Sequence, residues 1–245
     1  MNTKSVWGAA AILGLFLVVA VAVGGYAFYL ARGLGNTVSV TGSAERVVTS
    51  DIVKWNANFS RTVSESEVKE GYQQMKKDLD IIRVYLKENG IADSQITIRP
   101  VYLNPMYEYD KYSGSSKMTG YQLQQQVVVE SVGEIKKITD LSQEAPAALA
   151  GKGLLFSTQN LEYYYSKFAE LKVEMLTDAT KNATERAKRI AESTGAKLGR
   201  LQSASMGVFQ VTAVNSQEVS DYGYFDSSSI EKKVTSVVRA AFSLR

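Results

Sequence analysis

Ser229 and Lys232 are spaced S-x-x-K, the pattern in which a lysine amine serves as base for a serine nucleophile where no histidine is at hand. The pattern stands alone here. The S-D-N and K-T-G companions of Ser–Lys hydrolases are missing, and the four residues fall where a strand is predicted to begin. A solvated strand start explains Ser229 and Lys232 better than catalysis does. The carboxylate pairs Glu170/Glu174 and Glu174/Asp178 lie four apart on one predicted helix, so a solvated face accounts for them without a partner group or pocket. Histidine and cysteine are both absent, which removes the commonest general base, the commonest metal ligand, thiol nucleophiles and disulfides. No G-x-S-x-G, G-x-x-x-x-G-K-[ST] or EF-hand spacing occurs. The expectation is a protein that is not an enzyme, with no catalytic, cofactor-binding or metal residues and no cofactor.

Tyrosine is the residue left to explain. Of 14 tyrosines, five lie between Tyr102 and Tyr121, three form the run Tyr163-Tyr164-Tyr165, and Tyr222 and Tyr224 flank Gly223. A large apolar ring with a polar tip suits subunit contacts. Tyr107, Tyr109 and Tyr112 in one connection, with Tyr222, Tyr224 and Phe225 in another, are therefore a candidate homo-oligomer interface. Half-buried sheet packing explains the first three equally well, and it explains Tyr163 to Tyr165 better. The sequons Asn58-Phe59-Ser60 and Asn182-Ala183-Thr184 fall in a predicted strand and a predicted helix, where no sugar is expected.

The elements that must position these residues follow from periodicity. Residues 38–48 read as a strand, and so do 53–60, where Val53, Trp55, Ala57 and Phe59 alternate with polar neighbours. Ser64 and Glu67 make a capping box for a helix carrying Val68, Tyr72, Met75, Leu79, Ile82 and Leu86 on one face. Gly90 and Ile91 have the pattern of a Schellman stop. Strands are predicted over 95–106 and 117–131, with the tyrosine-bearing segment 104–120 as a turn-rich connection. A short helix from Gly133 carries Ile135, Ile138 and Leu141, and Pro146 ends or bends it. A strand over 154–163 leads to a long helix over 166–194, with Phe168, Leu171, Met175, Ala179, Ala183, Ala187 and Ile190 inward. Strands over 200–214 and 232–244 close the chain around a polar, aromatic segment read as a loop. The fold class is α+β: antiparallel strand pairs with packed helices.

Location is written at the N-terminus. Trp7 to Leu30 is an uncharged, apolar run of 24 residues between Lys4 and Arg32, and about 20 such residues cross a bilayer as helix. Trp7, Leu15, Phe16, Val19, Val23, Tyr26 and Leu30 are its candidate membrane-facing residues. A cleavable signal has an apolar stretch of only about 7–15 residues, so length favours a retained single-pass anchor over cleavage near Ala20-Val21-Ala22. The boundaries read as residues 1–35 for the anchor and 36–245 for the exposed body. Past residue 32 the chain holds 26 basic against 25 acidic residues. Without a basic patch, no nucleic-acid partner is expected.

Several separated blocks share an order with a known family. VSVTGSAERVVTSD, the helix ending ENGI, DSQITIRPVYLNPMYEY, GYQLQQQVVVES, ATERAKRIAESTGAKLGRLQS and the terminal VTSVVRAAFSL together resemble the SIMPL domain family. The resemblance covers nearly all of residues 36–245. It implies a periplasmic or membrane-anchored envelope protein that self-assembles, with links to oxidative or envelope stress resistance, and it brings no catalytic residues. The expected place is the inner (cytoplasmic) membrane, with the C-terminal body in the periplasm or another extracytoplasmic space. An oligomeric ring or channel-like assembly, and an envelope enzyme with an unrecognised polar site, are the rival readings.

Overall fold

The computed structural model describes residues 3–33, 36–111, 114–218 and 220–245. It is mixed α and β throughout, with helix α1 (Thr3–Gly33), strands β1 (Thr37–Thr49) and β2 (Ile52–Val63), and helix α2 (Val68–Glu88) in order. Then come β3 (Ile96–Asp110), β4 (Ser115–Val132), α3 (Ile135–Ala150), β5 (Leu155–Tyr164) and α4 (Phe168–Ser193). The chain closes with β6 (Leu198–Met206), β7 (Gln210–Ala213), β8 (Tyr224–Phe225) and β9 (Glu231–Leu244). Contacts divide it into two units, and β1, α4 and β9 each contribute to both.

One unit comprises residues 47–170 and 210–234. Its four-stranded antiparallel sheet has the order β3-β4-β2-β5. The odd-numbered face of β2 carries Val53, Trp55, Ala57 and Phe59, which bury against Met75, Ile82 and Leu86 of α2 and Ile138, Leu141 and Leu149 of α3. Period two in the strand and period 3.6 in the helices thus meet in one core.

The capping chemistry of α2 follows the sequence closely. Ser64 N–H donates to Glu67 Oε2 at 3.1 Å before one 3-10 turn leads into the helix. At the other end Ile91 N–H donates to Leu86 O at 3.0 Å and Gly90 N–H to Lys87 O at 2.9 Å. Gly90 takes a φ of +75° there, which completes the Schellman motif, and Ile91 is buried behind it.

Pro146 does not end α3; it lies inside the helix. Its missing N–H strands the carbonyl of Ser142, one turn back. Thr158 Oγ1 on β5 donates to that carbonyl at 2.6 Å, and the same hydroxyl accepts from Trp55 Nε1 at 3.1 Å. Thr158→Val therefore leaves two buried partners unmade and is expected to cost about 1–3 kcal/mol. In a Pro146→Ala background the helix regains a backbone N–H for Ser142 O, so the same change should cost less. Equal losses in both backgrounds, by chemical denaturation, would refute this relay.

The other unit comprises residues 1–46, 171–209 and 235–245. Here β9 lies between β1 and β6. Val40, Ala183, Ala187, Ala240 and Phe242 form its core. The inward stripe of α4 runs Ala179, Ala183, Ala187 and Ala191, whereas Ile190, predicted inward, is 45 % exposed. Alanines are needed because Gly42 of β1 lies directly on the helix: a Cβ there would sit 2.7 Å from Ala183 Cβ and closer still to Ala179 O and Ala183 N. Arg46 forks to Glu174 (Nη1–Oε2, 2.7 Å) and Asp178 (Nη2–Oδ2, 3.0 Å), so these carboxylates bind a guanidinium on the surface.

Candidate functional site

From Ile12 to Tyr29 apolar side chains lie on every side of α1, the mean hydropathy is 2.2 and none of that stretch is buried. Leu15, Phe16, Val19, Val23 and Tyr26 are all exposed, while the side chains of Trp7 and Leu30 lie outside the described residues. Helices greasy all round are found in large cores or in membranes, and no core covers this one.

Tyr107 and Tyr109 do not lie in a loop. The segment expected as a turn-rich connection continues both strands, pairing Tyr107 with Met118, Glu108 with Lys117, Tyr109 with Ser116 and Asp110 with Ser115. Pro105 is tolerated because β3 is an edge strand, so its missing N–H breaks no ladder on the outer side. β2 ends where Val63 pairs with Tyr121, and beyond that point β3 and β4 have no third strand. Gly120 passes against Val63 O with φ +156°, too close for any side chain, and the register shifts between Met106 and Tyr107. The product is a two-stranded arm on which Tyr107 and Tyr109 are each 63 % exposed. Tyr112 lies outside the described residues.

The second aromatic segment is more ordered than its composition suggests. Tyr222 is fully exposed and Tyr224 and Phe225 partly so. Tyr224 and Phe225 form β8, parallel to β7, and Phe225 stacks on Tyr164 at 6.1 Å and meets Phe168 edge-on at 5.7 Å. Tyr164 in turn donates to Glu162 Oε2 at 2.6 Å, while Asn56 and Asn160 donate to Glu162 Oε1. The hydrogen bond to Glu162, with burial and the negative charges of Glu162 and Glu130 added, raises the Tyr164 phenol to about 12.

A phenol raised on folding stabilises the fold fully below the unfolded pKa near 10 and loses that contribution as pH rises through about 12. Tyr164 should therefore ionise late in an ultraviolet titration of the folded chain, alongside Tyr85 and Tyr224, whose phenols are also raised. Tyr164→Phe should shrink the late step by one phenol; an unchanged amplitude would assign it elsewhere.

Next to β8 in the chain, Asp226 joins Lys232 in a buried polar cluster. Lys232, taken as a solvated strand start, is 1 % exposed, and its Nζ donates to the backbone carbonyl of Asp226 at 2.6 Å. Asp226 is itself buried, and its Oδ1 accepts from Ser228 N–H at 2.8 Å and Ser228 Oγ at 2.7 Å. Burial pushes the Asp226 carboxyl up, but the hydroxyls of Ser229 and Ser228, the Ser228 N–H and the Lys232 charge prevail and hold it at about 2. Burial lowers Lys232, against the opposing pull of Asp226. The signal was present in the sequence: Lys232 is in phase with Val234 and Val238, on the face β9 buries. At 1 % exposure its amine is out of reach of a substrate.

Clefts open elsewhere on the same unit. One of about 450 Å³ is lined by Asp80, Ile81, Val84 and Lys152; two of about 250 and 280 Å³ share Arg61 and Thr62. Arg61 donates from Nε and Nη2 to the buried Asp78 of α2, the latter bond 2.8 Å long. Among the described residues no group of three or more Asp and Glu gathers as a metal site.

No curated protein matches this chain. Over residues 38–242, which include every strand pair described above, it matches the family described as SIMPL, a protein of unknown function (DUF541). The match takes in the Gly42 contact, the α2 caps, the tyrosine arm and the Lys232 strand in one continuous stretch, and the chain belongs to the SIMPL family.

Proposed function

We propose that residues 7–30 hold the chain in the cytoplasmic membrane as a single-pass anchor, with residues 36–245 on the extracytoplasmic side. The protein acts there by self-assembly or binding and not by catalysis. Family membership and the exposed apolar helix support an envelope-associated protein. The observation that carries the assembly reading is the tyrosine arm. A two-stranded ribbon is marginal in water by itself, and this one displays Tyr107, Tyr109 and Met106 to solvent beyond the end of β2. Packing against a second copy supplies the third layer that such a ribbon lacks. Tyr222, Tyr224 and Phe225 are further exposed aromatic residues of the same unit.

Light scattering of the full chain in detergent is expected to give an oligomer that Tyr107→Ser/Tyr109→Ser reduces in size without loss of helical signal. A wild-type monomer at high concentration overturns the assembly reading. The anchor is tested separately. Intact mass and resistance to alkaline extraction are expected, and recovery of a chain shortened near Ala22 rejects it.

A further inference from the structure

The Asp226–Lys232 cluster is short of partners. Among the described residues, Ser50 Oγ, Thr212 Oγ1 and Ser236 Oγ are buried without a hydrogen bond, and so is Asp226 Oδ2, on a carboxylate that the nearby Ser229 hydroxyl helps to hold ionised. Ser50 and Thr212 are 4 % and 3 % exposed. Ser50, Thr212 and Asp226 come from separate segments that run beside the start of β9. Ser50 N–H donates to Ile230 O at 2.9 Å, which sets Ser50 beside the start of β9, two residues from Lys232. Asp226 N–H donates to Val211 O at 2.8 Å, which sets Asp226 beside the strand that carries Thr212. β7 and β9 are themselves neighbours. An ammonium has three protons to donate, and the Lys232 contact to Asp226 O uses one.

Buried polar groups in native proteins are almost always satisfied, by protein or by ordered water. The groups left over here include both donors and acceptors, and the ammonium and carboxylate cancel in charge. That combination selects a small neutral molecule able to donate and accept, not an anion or a metal cation. We infer that bound water occupies this cluster, joining Lys232 Nζ to the Thr212 and Ser50 hydroxyls and to Asp226 Oδ2. The hydrated cluster fixes the segment that carries Tyr222, Tyr224 and Phe225. Around it Tyr163 N–H donates to Ser227 O at 2.7 Å and Lys233 Nζ to Ser216 O at 3.1 Å, so both sides of that segment are tied to the same unit.

The sign of one isosteric change tests this. If the site is dry, Thr212→Val removes an unpaired buried hydroxyl and leaves Tm unchanged or higher. If water links Thr212 to Lys232, the same change in the full chain in detergent lowers Tm by about 2–4 °C, and Ser50→Ala acts in the same direction. The Thr212→Val effect should vanish in a Lys232→Met background, as coupled sites require. A Thr212→Val protein as stable as wild type, or a loss that persists undiminished beside Lys232→Met, overturns the inference. Should Lys232→Met fail to fold, the signs for Thr212→Val and Ser50→Ala alone decide, and a rise or no change in both is the overturning result.

Discussion

Gly42→Val is expected to cost at least about 3 kcal/mol, the upper range for overpacking a core. The first added carbon already falls 2.7 Å from Ala183 Cβ and nearer to Ala179 O and Ala183 N, two of them backbone atoms of a helix. No rotamer change relieves such a clash, so β1 must lift from α4. The residues that then lose burial are Val40, Ala183, Ala187, Ala240 and Phe242, the buried cluster that β1, α4 and β9 share. Chemical denaturation should show a lower midpoint, and hydrogen exchange should show lost protection along residues 171–193. A valine variant with wild-type protection there would disprove the close approach.

Arg61→Ala is expected to be the next most damaging change, and more damaging than Asp78→Ala. The Asp78 side chain is 5 % exposed and that of Arg61 is 36 % exposed. Removing the arginine leaves a carboxylate buried without its counter-charge, a loss of about 3 kcal/mol or more. Removing the aspartate leaves a guanidinium that water already reaches, so about 1 kcal/mol is expected, closer to a surface pair. A double-mutant cycle read by urea unfolding measures both arms. Equal single losses, or a smaller loss for Arg61→Ala, would show that burial does not set this pair's energetics.

Most of the frame was legible because local signals agreed with the packing. Ser64, Glu67, Gly90 and Ile91 bound α2 by hydrogen bonds within a few residues, which spacing alone encodes. What escaped depended on distant partners. Pro146 reads as ending or bending its helix, and that it lies within α3 becomes intelligible only once Thr158 is seen to satisfy Ser142 O. Asn104, Pro105, Asp110 and Gly114 read as turn residues, yet an edge strand accepts proline and the strand pairing continues to Asp110 and Ser115. Ile190 outranks Ala191 in hydrophobicity, but a glycine pressed onto α4 calls for small side chains at four-residue steps.

Tyr107 and Tyr109, picked out in the sequence as interface candidates, are exposed, but on a strand pair and not in a loop. Lys232 was assigned to solvent because its charge weighed more than its phase in β9. The S-x-x-K spacing brought Lys232 to notice for a chemistry its burial forbids.

The strand between β1 and β6 leaves the ribosome after both of them. β1 emerges first and must wait for β9, about 190 residues later by the separation of their paired ends, Asn36 with Leu244 and Ser50 with Ile230. Until then the earlier half of that sheet has no hydrogen-bonding partner, so the nascent chain stays open during the period when it would be threaded across a bilayer. Nascent chains arrested after Val234 should accordingly remain sensitive to protease across residues 171–209, while the released full-length chain should not. The order of synthesis thereby delays closure of that unit until β9 has been made.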